Sequence, residues 1–324
     1  MKKIAFIGSG KISSFHIDAA LKAGFNVTAI SATNKSKSAL ELSKKYNIPN
    51  YFETTKELLI SSLFDCVSVI TPPKVTAELV GLISERNIPA LIEKPGALTS
   101  HSLRKYQHFD NIFVGYNRRF YSTITEFESI NLKNPGISNF SIIEIVNLET
   151  EILKNIENAI INNSVHVLDL LIYLIGKCDL RDPVYSQINH NLNFRVFDFN
   201  GYRGNMNISF NSKRNTSIEF ENSQINLAVL PLEKLQKSNN FRIIPPQLNY
   251  PYTRYQTVYE KLSGPSEIVE FGIIKPGFLN QYLDFYQFCE NGVKSKKLAT
   301  LADAINVLRL AEFIISLYRQ YIKD

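Results

Sequence analysis

The chain has 324 residues, 44% of them hydrophobic, and a formal net charge of +6. This length and composition can bury a sizeable core and predict two domains. The basic residues form no block that would track a nucleic-acid backbone, and no apolar run reaches the roughly 20 residues that a membrane helix needs. We therefore expect neither a nucleic acid nor a membrane as a partner.

The three cysteines, Cys66, Cys178 and Cys289, are odd in number and far apart in the sequence. Their spacing matches neither a disulfide framework nor a set of metal ligands. We expect buried free thiols, no bound metal and a cytoplasmic protein.

The first third of the chain alternates short apolar runs with segments of helical periodicity. Uninterrupted apolar runs are typical of parallel strands covered on both faces. Repeated strand–helix units of this length predict a right-handed, doubly wound parallel sheet, the Rossmann arrangement, over residues 1–119. The predicted strands are 4–8, 26–31, 64–71, 89–92 and 111–116, and the predicted helices are 14–23, 39–46, 75–86 and 103–108.

A turn of sequence GSGKIS, residues 8–13, joins the first strand to the first helix. Gly8 permits a tight turn, Gly10 lets the backbone approach a pyrophosphate, and the helix N-terminus favours that anion. Ser13 replaces a third glycine with another small residue. The alternative is a tight turn without a ligand. The predicted cofactor contacts are Gly8, Gly10, Lys11 and Ile12.

The end of the second predicted strand carries no carboxylate that could hold a ribose 2′-hydroxyl. The hydroxyl and amine groups found there suit a 2′-phosphate, so the sequence favours NADP, with NAD as the second possibility. A polar exposed loop that contacts neither cofactor is the alternative. The predicted contacts are Ser31, Thr33, Asn34 and Lys35.

The stretch ALIEKPGALT, residues 90–99, ends an apolar strand in Glu93 and Lys94 and then stiffens the backbone with Pro95 and Gly96. Ligands of doubly wound sheets bind beyond the carboxyl ends of the strands. Proline also makes a cis bond accessible at Lys94–Pro95. From these residues alone, Lys94 is either an active-site lysine or a lysine that merely ends a strand.

Three segments, EKPG (93–96), GYNRRF (115–120) and NNSVHVLDLL (162–171), resemble in order and spacing the Gfo/Idh/MocA oxidoreductases, named for glucose–fructose oxidoreductase and inositol dehydrogenase. The GSGKIS turn, the segment TPPKVTAEL (71–79) and the run KPGFLNQYLDFYQFCENG (275–292) are similar too, so the resemblance spans nearly the whole chain.

The resemblance implies an α/β fold with a second domain, residues 120–324, built on an open, mostly antiparallel sheet. That sheet would pair copies into a homodimer or homotetramer. It also implies NAD(P)-dependent hydride transfer at a hydroxyl or keto carbon of a sugar, sugar nucleotide or cyclitol. Lys94 and His166 would be the active-site lysine and histidine. Thr71, Pro72, Glu93 and Lys94 would also contact the cofactor, and Asn117, Arg118, Arg119, Asn162 and Asp169 would bind substrate.

Three of these assignments have alternatives. His166 lies on an apolar helical segment, 165–175, and taken alone it would be a core histidine. One arginine of the Arg118–Arg119 pair could form a structural ion pair, and Asp169 could either orient the His166 imidazole or pair elsewhere. The chemistry suits alcohol oxidation, because histidine titrates near neutrality and a lysine ammonium stabilises a developing alkoxide.

Three departures weaken the catalytic interpretation. Asn162 stands where the family often has Asp, Ser164 where it has Gly, and Thr76 where it often has His. An amide can hydrogen-bond a sugar hydroxyl but cannot accept its proton. A catalytically inactive NAD(P)-binding regulatory or scaffolding protein is therefore the alternative function.

Beyond residue 120, short strand-like runs separated by Asn, Gly and Ser predict an antiparallel meander. The stretch 238–265 has little regular period and predicts a functional loop or an interaction arm. Tyr252, Arg254 and Tyr255 could hold a sugar nucleotide there or pack between subunits. The predicted strands are 139–148, 193–199, 205–210, 217–221 and 224–230, and the closing helices are 277–292 and 298–322.

Overall fold

The computed structural model describes residues 1–32, 36–131, 136–249, 252–263 and 274–322. It divides the chain into two compact units. The first comprises Met1–Phe120, Ile160–Asp169 and Phe271–Tyr318, and the second comprises Tyr121–Ala159, Leu170–Glu270 and Arg319–Asp324. The chain returns to the first unit twice after residue 120, whereas sequence reasoning placed a single boundary after residue 119.

The first unit is built on a parallel sheet. In the described residues its strands are β1 (Lys3–Ile7), β2 (Asn26–Ser31), β3 (Asn50–Phe52), β4 (Cys66–Val69), β5 (Ala90–Ile92), β6 (Ile112–Val114) and β15 (Ala299–Thr300), in the order β15-β6-β5-β4-β1-β2-β3. Every neighbouring pair is parallel except β15–β6. The predicted Rossmann sheet is confirmed.

Helices of this unit alternate with the strands. They are α1 (Ser13–Lys22), α2 (Lys37–Lys45), α3 (Thr55–Ile60), α4 (Pro73–Glu85) and α5 (Ser100–Arg104), followed late in the chain by α9 (Phe278–Asn291) and most of α10 (Leu301–Tyr321). Residues 4–7 of β1 are fully buried, as expected for a central strand covered on both faces.

Sequence reasoning missed β3 and α3, although a signal for the helix was present. Thr54 accepts a hydrogen bond from the Glu57 amide, and the Glu57 side chain accepts one from the Thr54 amide. This capping box follows from the spacing Thr-x-x-Glu at residues 54–57. The helix expected at 103–108 was also misplaced, because α5 ends at Arg104.

The second unit is built on a mostly antiparallel sheet, as expected. Its described strands are β7 (Ile137–Glu144), β8 (Asp179–Ser186), β9 (Asn191–Asp198), β10 (Gly201–Phe210), β11 (Ser217–Glu221), β12 (Asn226–Val229), β13 (Leu235–Ile244) and β14 (Arg254–Ser263), in the order β14-β13-β12-β11-β7-β10-β9-β8. The β7–β10 pair is parallel, so the sheet is not a simple meander. Strand β8 was missed because Pro183 interrupts it, and its register with β9 shifts between Arg181 and Val184.

The stretch 238–265, predicted to be a functional loop or an interaction arm, is more regular than its composition suggested, and the interaction arm stays a prediction. Most of this stretch lies in the antiparallel pair β13–β14, which extends one edge of the sheet. Residues 250–251 and 264–265 of the stretch lie outside the described residues. Arg254 is the first residue of β14, two residues after Tyr252, and it donates a hydrogen bond to Gln247 at 3.1 Å.

Three helices complete the described part of the chain: α6 (Ser122–Asn131), α7 (Ile152–Ala159) and α8 (Val165–Ile175). A π-helical segment, Ile160–Ser164, joins α7 to α8. Among the described residues, one helical stretch, Ile152–Ile175, is long and apolar enough to cross a membrane. The sequence analysis did not identify this stretch. More than half of its most apolar window is buried within the protein, which is typical of a core helix.

The three cysteines are free thiols, as expected, but only Cys66 is buried. Cys178 and Cys289 are partly exposed, which corrects the expectation that all three are buried. Burial, followed by the charge of Asp179, raises the pKa of Cys178 to about 12, so this thiol is unreactive at neutral pH.

Candidate active site

The turn after β1 has the shape that a dinucleotide needs. Gly8 has φ of +116°, and a Cβ placed there would lie 2.0 Å from the carbonyl oxygen of Ile70. Its amide donates to the Ser31 carbonyl at 2.8 Å. A Cβ on Gly10 would instead meet nothing within 4 Å. The fold therefore requires glycine at residue 8, whereas the space beside Gly10 is open to a ligand.

The N-terminus of α1 is left open on the same turn. Ile12, at the N-cap, makes no capping hydrogen bond with its side chain, and the first turn carries no acidic residue. Lys11 is exposed beside it. Because helix N-terminal amides and the helix dipole favour anions, this end of α1 fits a pyrophosphate. These residues therefore fit an NAD(P) cofactor.

Three serines border this turn with hydroxyl groups. The Ser9 hydroxyl lies 3.1 Å from that of Ser36 and 2.7 Å from that of Ser38. Ser36 also caps α2 by accepting from the Ala39 amide. The predicted contact Ser31 is buried and bonds to Thr55 at 3.4 Å. The other predicted contacts, residues 33–35, lie outside the described residues.

Two further predicted cofactor residues follow β4. Thr71 and Pro72 precede α4, which begins at Pro73. The Thr71 hydroxyl lies 2.8 Å from that of buried Thr76, the residue that stands where the family often has histidine. Thr76 thus shapes the start of α4.

Lys94 is brought to the segment that leads into α8. It follows β5, its bond to Pro95 is cis, and its ammonium donates to the Asn162 carbonyl at 2.5 Å. Asn162 belongs to the π-helical segment, and His166 follows four residues later in α8. The structure thus brings together the EKP lysine and the segment that carries the histidine.

His166 is a buried imidazole with an unsatisfied polar atom. Its exposed fraction is 8%, its ring centroid lies 6.2 Å from that of Tyr116 in an edge contact, and its Nδ1 has no hydrogen-bond partner. Burial, and then the positive charges of Arg118, Lys94 and Lys275, lower the pKa of His166 well below 6.5. The imidazole is therefore neutral at pH 7 and can accept a proton.

Arg119 and Asp169 form a buried, two-point ion pair. Arg119 Nη2 donates to Asp169 Oδ1 at 2.6 Å and Nε to Oδ2 at 2.9 Å, and Asp303 lies 3.5 Å from Nη1. Burial raises the pKa of Asp169 to about 6 against the opposite effect of Arg119. Burial lowers the pKa of Arg119, but the charge of Asp169 outweighs it and raises the pKa. This geometry favours the structural alternative for both residues.

The neighbours of Arg119 face other partners. The Asn117 side chain is buried and donates to the Pro276 carbonyl at 3.0 Å. Arg118 is partly exposed, so of the three polar residues in GYNRRF it is the most accessible to a ligand.

Sequence reasoning missed a buried network that holds Glu93. His16 Nε2 lies 3.1 Å from Glu93 Oε1, and its Nδ1 lies 3.0 Å from the Tyr282 hydroxyl. Tyr282 in turn lies 2.7 Å from the Ser68 hydroxyl. The polar Ser68 within the apolar strand β4 was a signal for such a partner.

Three further side chains described in the first unit have buried polar atoms without a hydrogen-bond partner. The atoms are Asn111 Oδ1, the Tyr116 hydroxyl and both amide atoms of Gln281. Buried polar groups are normally satisfied by protein, water or ligand. Within the described residues, no cluster of three His, Cys, Asp or Glu side chains could hold a metal ion.

A Rossmann sheet and an open glycine turn at the N-terminus of α1 are typical of dinucleotide-binding domains. Residues 2–111 match the family model described as "Oxidoreductase family, NAD-binding Rossmann fold", the Gfo/Idh/MocA model. The match covers about the first third of the chain, and over these residues the chain is similar to the Gfo/Idh/MocA oxidoreductases. No curated protein matches the chain.

Solved structures share the fold over nearly the whole chain. UDP-N-acetylglucosamine 3-dehydrogenase from Acidithiobacillus ferrooxidans is 16% identical, with 97% of each chain covered and a TM-score of 0.72. A dehydrogenase from Clostridium difficile is 17% identical, with 98% of this chain and 99% of that chain covered and a TM-score of 0.75. A levoglucosan dehydrogenase in complex with NADH is 15% identical, with 98% and 97% covered and a TM-score of 0.76.

Proposed function

We propose that this protein is an NAD(P)-dependent oxidoreductase that transfers a hydride between the nicotinamide and a hydroxyl or keto carbon of a sugar or sugar nucleotide. The observation that carries the proposal is the hydrogen bond from Lys94 to the Asn162 carbonyl, four residues before His166. The names of two structural neighbours, a sugar-nucleotide and a sugar dehydrogenase, support the substrate class.

Each residue has a distinct task in this proposal. NAD(P), when bound, supplies the hydride acceptor or donor. Gly10 and the open end of α1 bind the pyrophosphate. Neutral His166 takes the proton of the substrate hydroxyl during oxidation, and the Lys94 ammonium stabilises the charge that develops on that oxygen. His16 positions Glu93, and with it the turn that carries Lys94.

The cofactor preference is NADP. The hydroxyls of Ser9, Ser36 and Ser38 lie beside the turn, and no carboxylate ends β2 to hold a ribose 2′-hydroxyl. We expect NADPH to bind more tightly than NADH in a fluorescence titration, and the reverse order would contradict this preference. The cytoplasmic location and the homo-oligomer formed through the second sheet stay predictions.

Turnover tests the proposal. Purified protein is incubated with NADP or NAD and a panel of sugars and sugar nucleotides, and NAD(P)H absorbance is followed. Lys94→Met and His166→Gln should each lower kcat by about 100-fold or more, in line with the loss of an acid–base or oxyanion-stabilising group. Lys22→Gln, an exposed change in α1, serves as the control.

A catalytically inactive cofactor-binding protein is the second candidate, motivated by Asn162 in place of Asp. It predicts NAD(P)H binding without turnover of any member of the panel. Turnover that survives Lys94→Met and His166→Gln unchanged would contradict the roles given to both residues.

A further inference from the structure

Two cysteines that are distant in the sequence meet inside the first unit. Cys66 is the first residue of β4 and is buried, and Cys289 lies near the end of α9 and is partly exposed. Cys66 belongs to the hydrophobic core of this unit, and Cys289 packs against that core. Neither thiol has a task in the proposed function, so the pair is a separate feature of the first unit.

A neighbouring contact shows how the two thiols are placed together. The Ser68 hydroxyl, on β4, lies 2.7 Å from the Tyr282 hydroxyl, on α9, so this helix covers this face of the strand. Cys66 is two residues before Ser68 and projects from the same face of β4. Cys289 follows Tyr282 by seven residues, about two helical turns, and lies on the same side of α9. The helix therefore carries Cys289 to Cys66.

The two side chains interact directly. After burial, a hydrogen bond with the Cys289 side chain is the largest cause that raises the pKa of the Cys66 thiol well above 9. The Cys66 thiol also donates to the Lys3 carbonyl at 3.6 Å, which orients it at the start of β4. Cys66 therefore stays protonated at neutral pH, and the more exposed Cys289 is the thiol that an oxidant reaches first.

We propose that Cys66 and Cys289 form a redox-active pair, which hydrogen peroxide converts to a disulfide that fastens α9 to β4. Peroxide first oxidises the Cys289 thiol to a sulfenic acid, and the second peroxide oxygen leaves as water. The Cys66 sulfur then attacks the Cys289 sulfur. The S–S bond forms, the S–O bond breaks, and a second water leaves with the Cys66 proton. The peroxide thus takes up two electrons, and a dithiol such as dithiothreitol returns them and restores both thiols.

The disulfide would act on a helix that supports the candidate active site. Tyr282, two turns before Cys289, lies 3.0 Å from His16, which in turn contacts Glu93 beside Lys94. The new bond would also close most of the chain into a covalent loop, which restricts the unfolded state. We therefore expect oxidation to hold α9 in place and to make the folded protein more resistant to unfolding.

Peptide mapping and urea unfolding test the proposal. Folded, reduced wild-type protein is treated with hydrogen peroxide, catalase removes the excess, and the remaining thiols are alkylated in urea before mass spectrometry. We expect a peptide pair joined through Cys66 and Cys289, with Cys178 alkylated, and dithiothreitol should separate the pair. The oxidised protein should also unfold at a higher urea concentration than the reduced protein.

The third cysteine supplies the matched control. Cys178 lies in the second unit and is partly exposed, as Cys289 is. Cys178→Ser should form the link and show the same shift of the urea midpoint as wild type, whereas Cys289→Ser should show neither. Cys66→Ala should leave Cys289 as a sulfenic or sulfinic acid, because the second thiol is missing. The urea midpoint of each reduced variant confirms that the variant folds.

Three results would overturn the inference. Wild-type protein that yields no linked peptide after peroxide treatment would show that the pair is not oxidised to a disulfide. A link that forms only in urea would show that the two thiols meet only in the unfolded chain. An oxidised protein with an unchanged urea midpoint would show that the bond does not fasten α9. None of these results bears on hydride transfer, which is assayed separately.

Discussion

The buried pair Arg119–Asp169 gives a prediction that separates a structural from a catalytic role for Asp169. Asp169→Asn keeps the shape of the side chain but removes its charge and places an amide group against the guanidinium. The side chains are 3% and 0% exposed, and two hydrogen bonds of 2.6 and 2.9 Å join them. Water therefore cannot replace the lost partner.

The cost follows from this burial. Breaking a buried ion pair by removing one charge destabilises a protein by about 3–5 kcal/mol. Asp303 remains 3.5 Å from Arg119 and is one-third exposed, so it offsets part of the loss. We expect Asp169→Asn to lower the free energy of unfolding by about 3 kcal/mol.

Urea unfolding followed by circular dichroism measures this free energy. The matched control is Asp179→Asn, which breaks a pair with Arg181 at 3.2 Å whose side chains are more than half exposed. Exposed pairs contribute at most about 1 kcal/mol. If Asp169→Asn cost no more than the control, yet moved the acid limb of the pH–activity profile, Asp169 would orient His166 and the structural interpretation would be refuted.

Three more predictions test other parts of the first unit. Gly10→Ala should change the free energy of unfolding in urea by no more than about 0.5 kcal/mol and should weaken NADPH binding by about tenfold or more. Gly8→Ala should lower the free energy of unfolding by several kcal/mol, because its Cβ would clash with the backbone of Ile70. If the two variants behaved alike, the role given to the turn would be contradicted. Protonation of His166 would abolish its function as a base, so the acid limb of the kcat/KM profile should lie below pH 6.5. Lys275→Met removes a positive charge that lowers the pKa of His166 and should shift the acid limb to higher pH. An unchanged acid limb would show that the charge of Lys275 does not reach the imidazole. Tyr282→Phe should cost about 1–3 kcal/mol in urea unfolding by leaving two buried polar groups without a partner, and unchanged stability would mean that the network is dispensable.

Local sequence predicted much of the fold and part of the site. Apolar runs and glycine turns located most strands of the first sheet, and the GSGKIS turn lies where it was expected. Strands β8 and β3 were missed because their local signals were weak or opposed: Pro183 disrupts β8, and β3 is only three residues long. The irregular composition of 238–265 hid the β13–β14 pair, because an edge strand gains its hydrogen bonds from a neighbour and not from its own periodicity.

The sequence by itself determined the Rossmann class, the cofactor turn and the candidate lysine and histidine, because each depends on residues close together in the chain. Only the tertiary structure decided the hydrogen-bond and ion-pair partners of the buried polar side chains. It paired Arg119 with Asp169, 50 residues away, and joined His16 to Tyr282 across 266 residues. Buried polar groups must form hydrogen bonds once the core has formed, because water cannot serve them there. The local sequence pattern does not identify which distant residue becomes the partner.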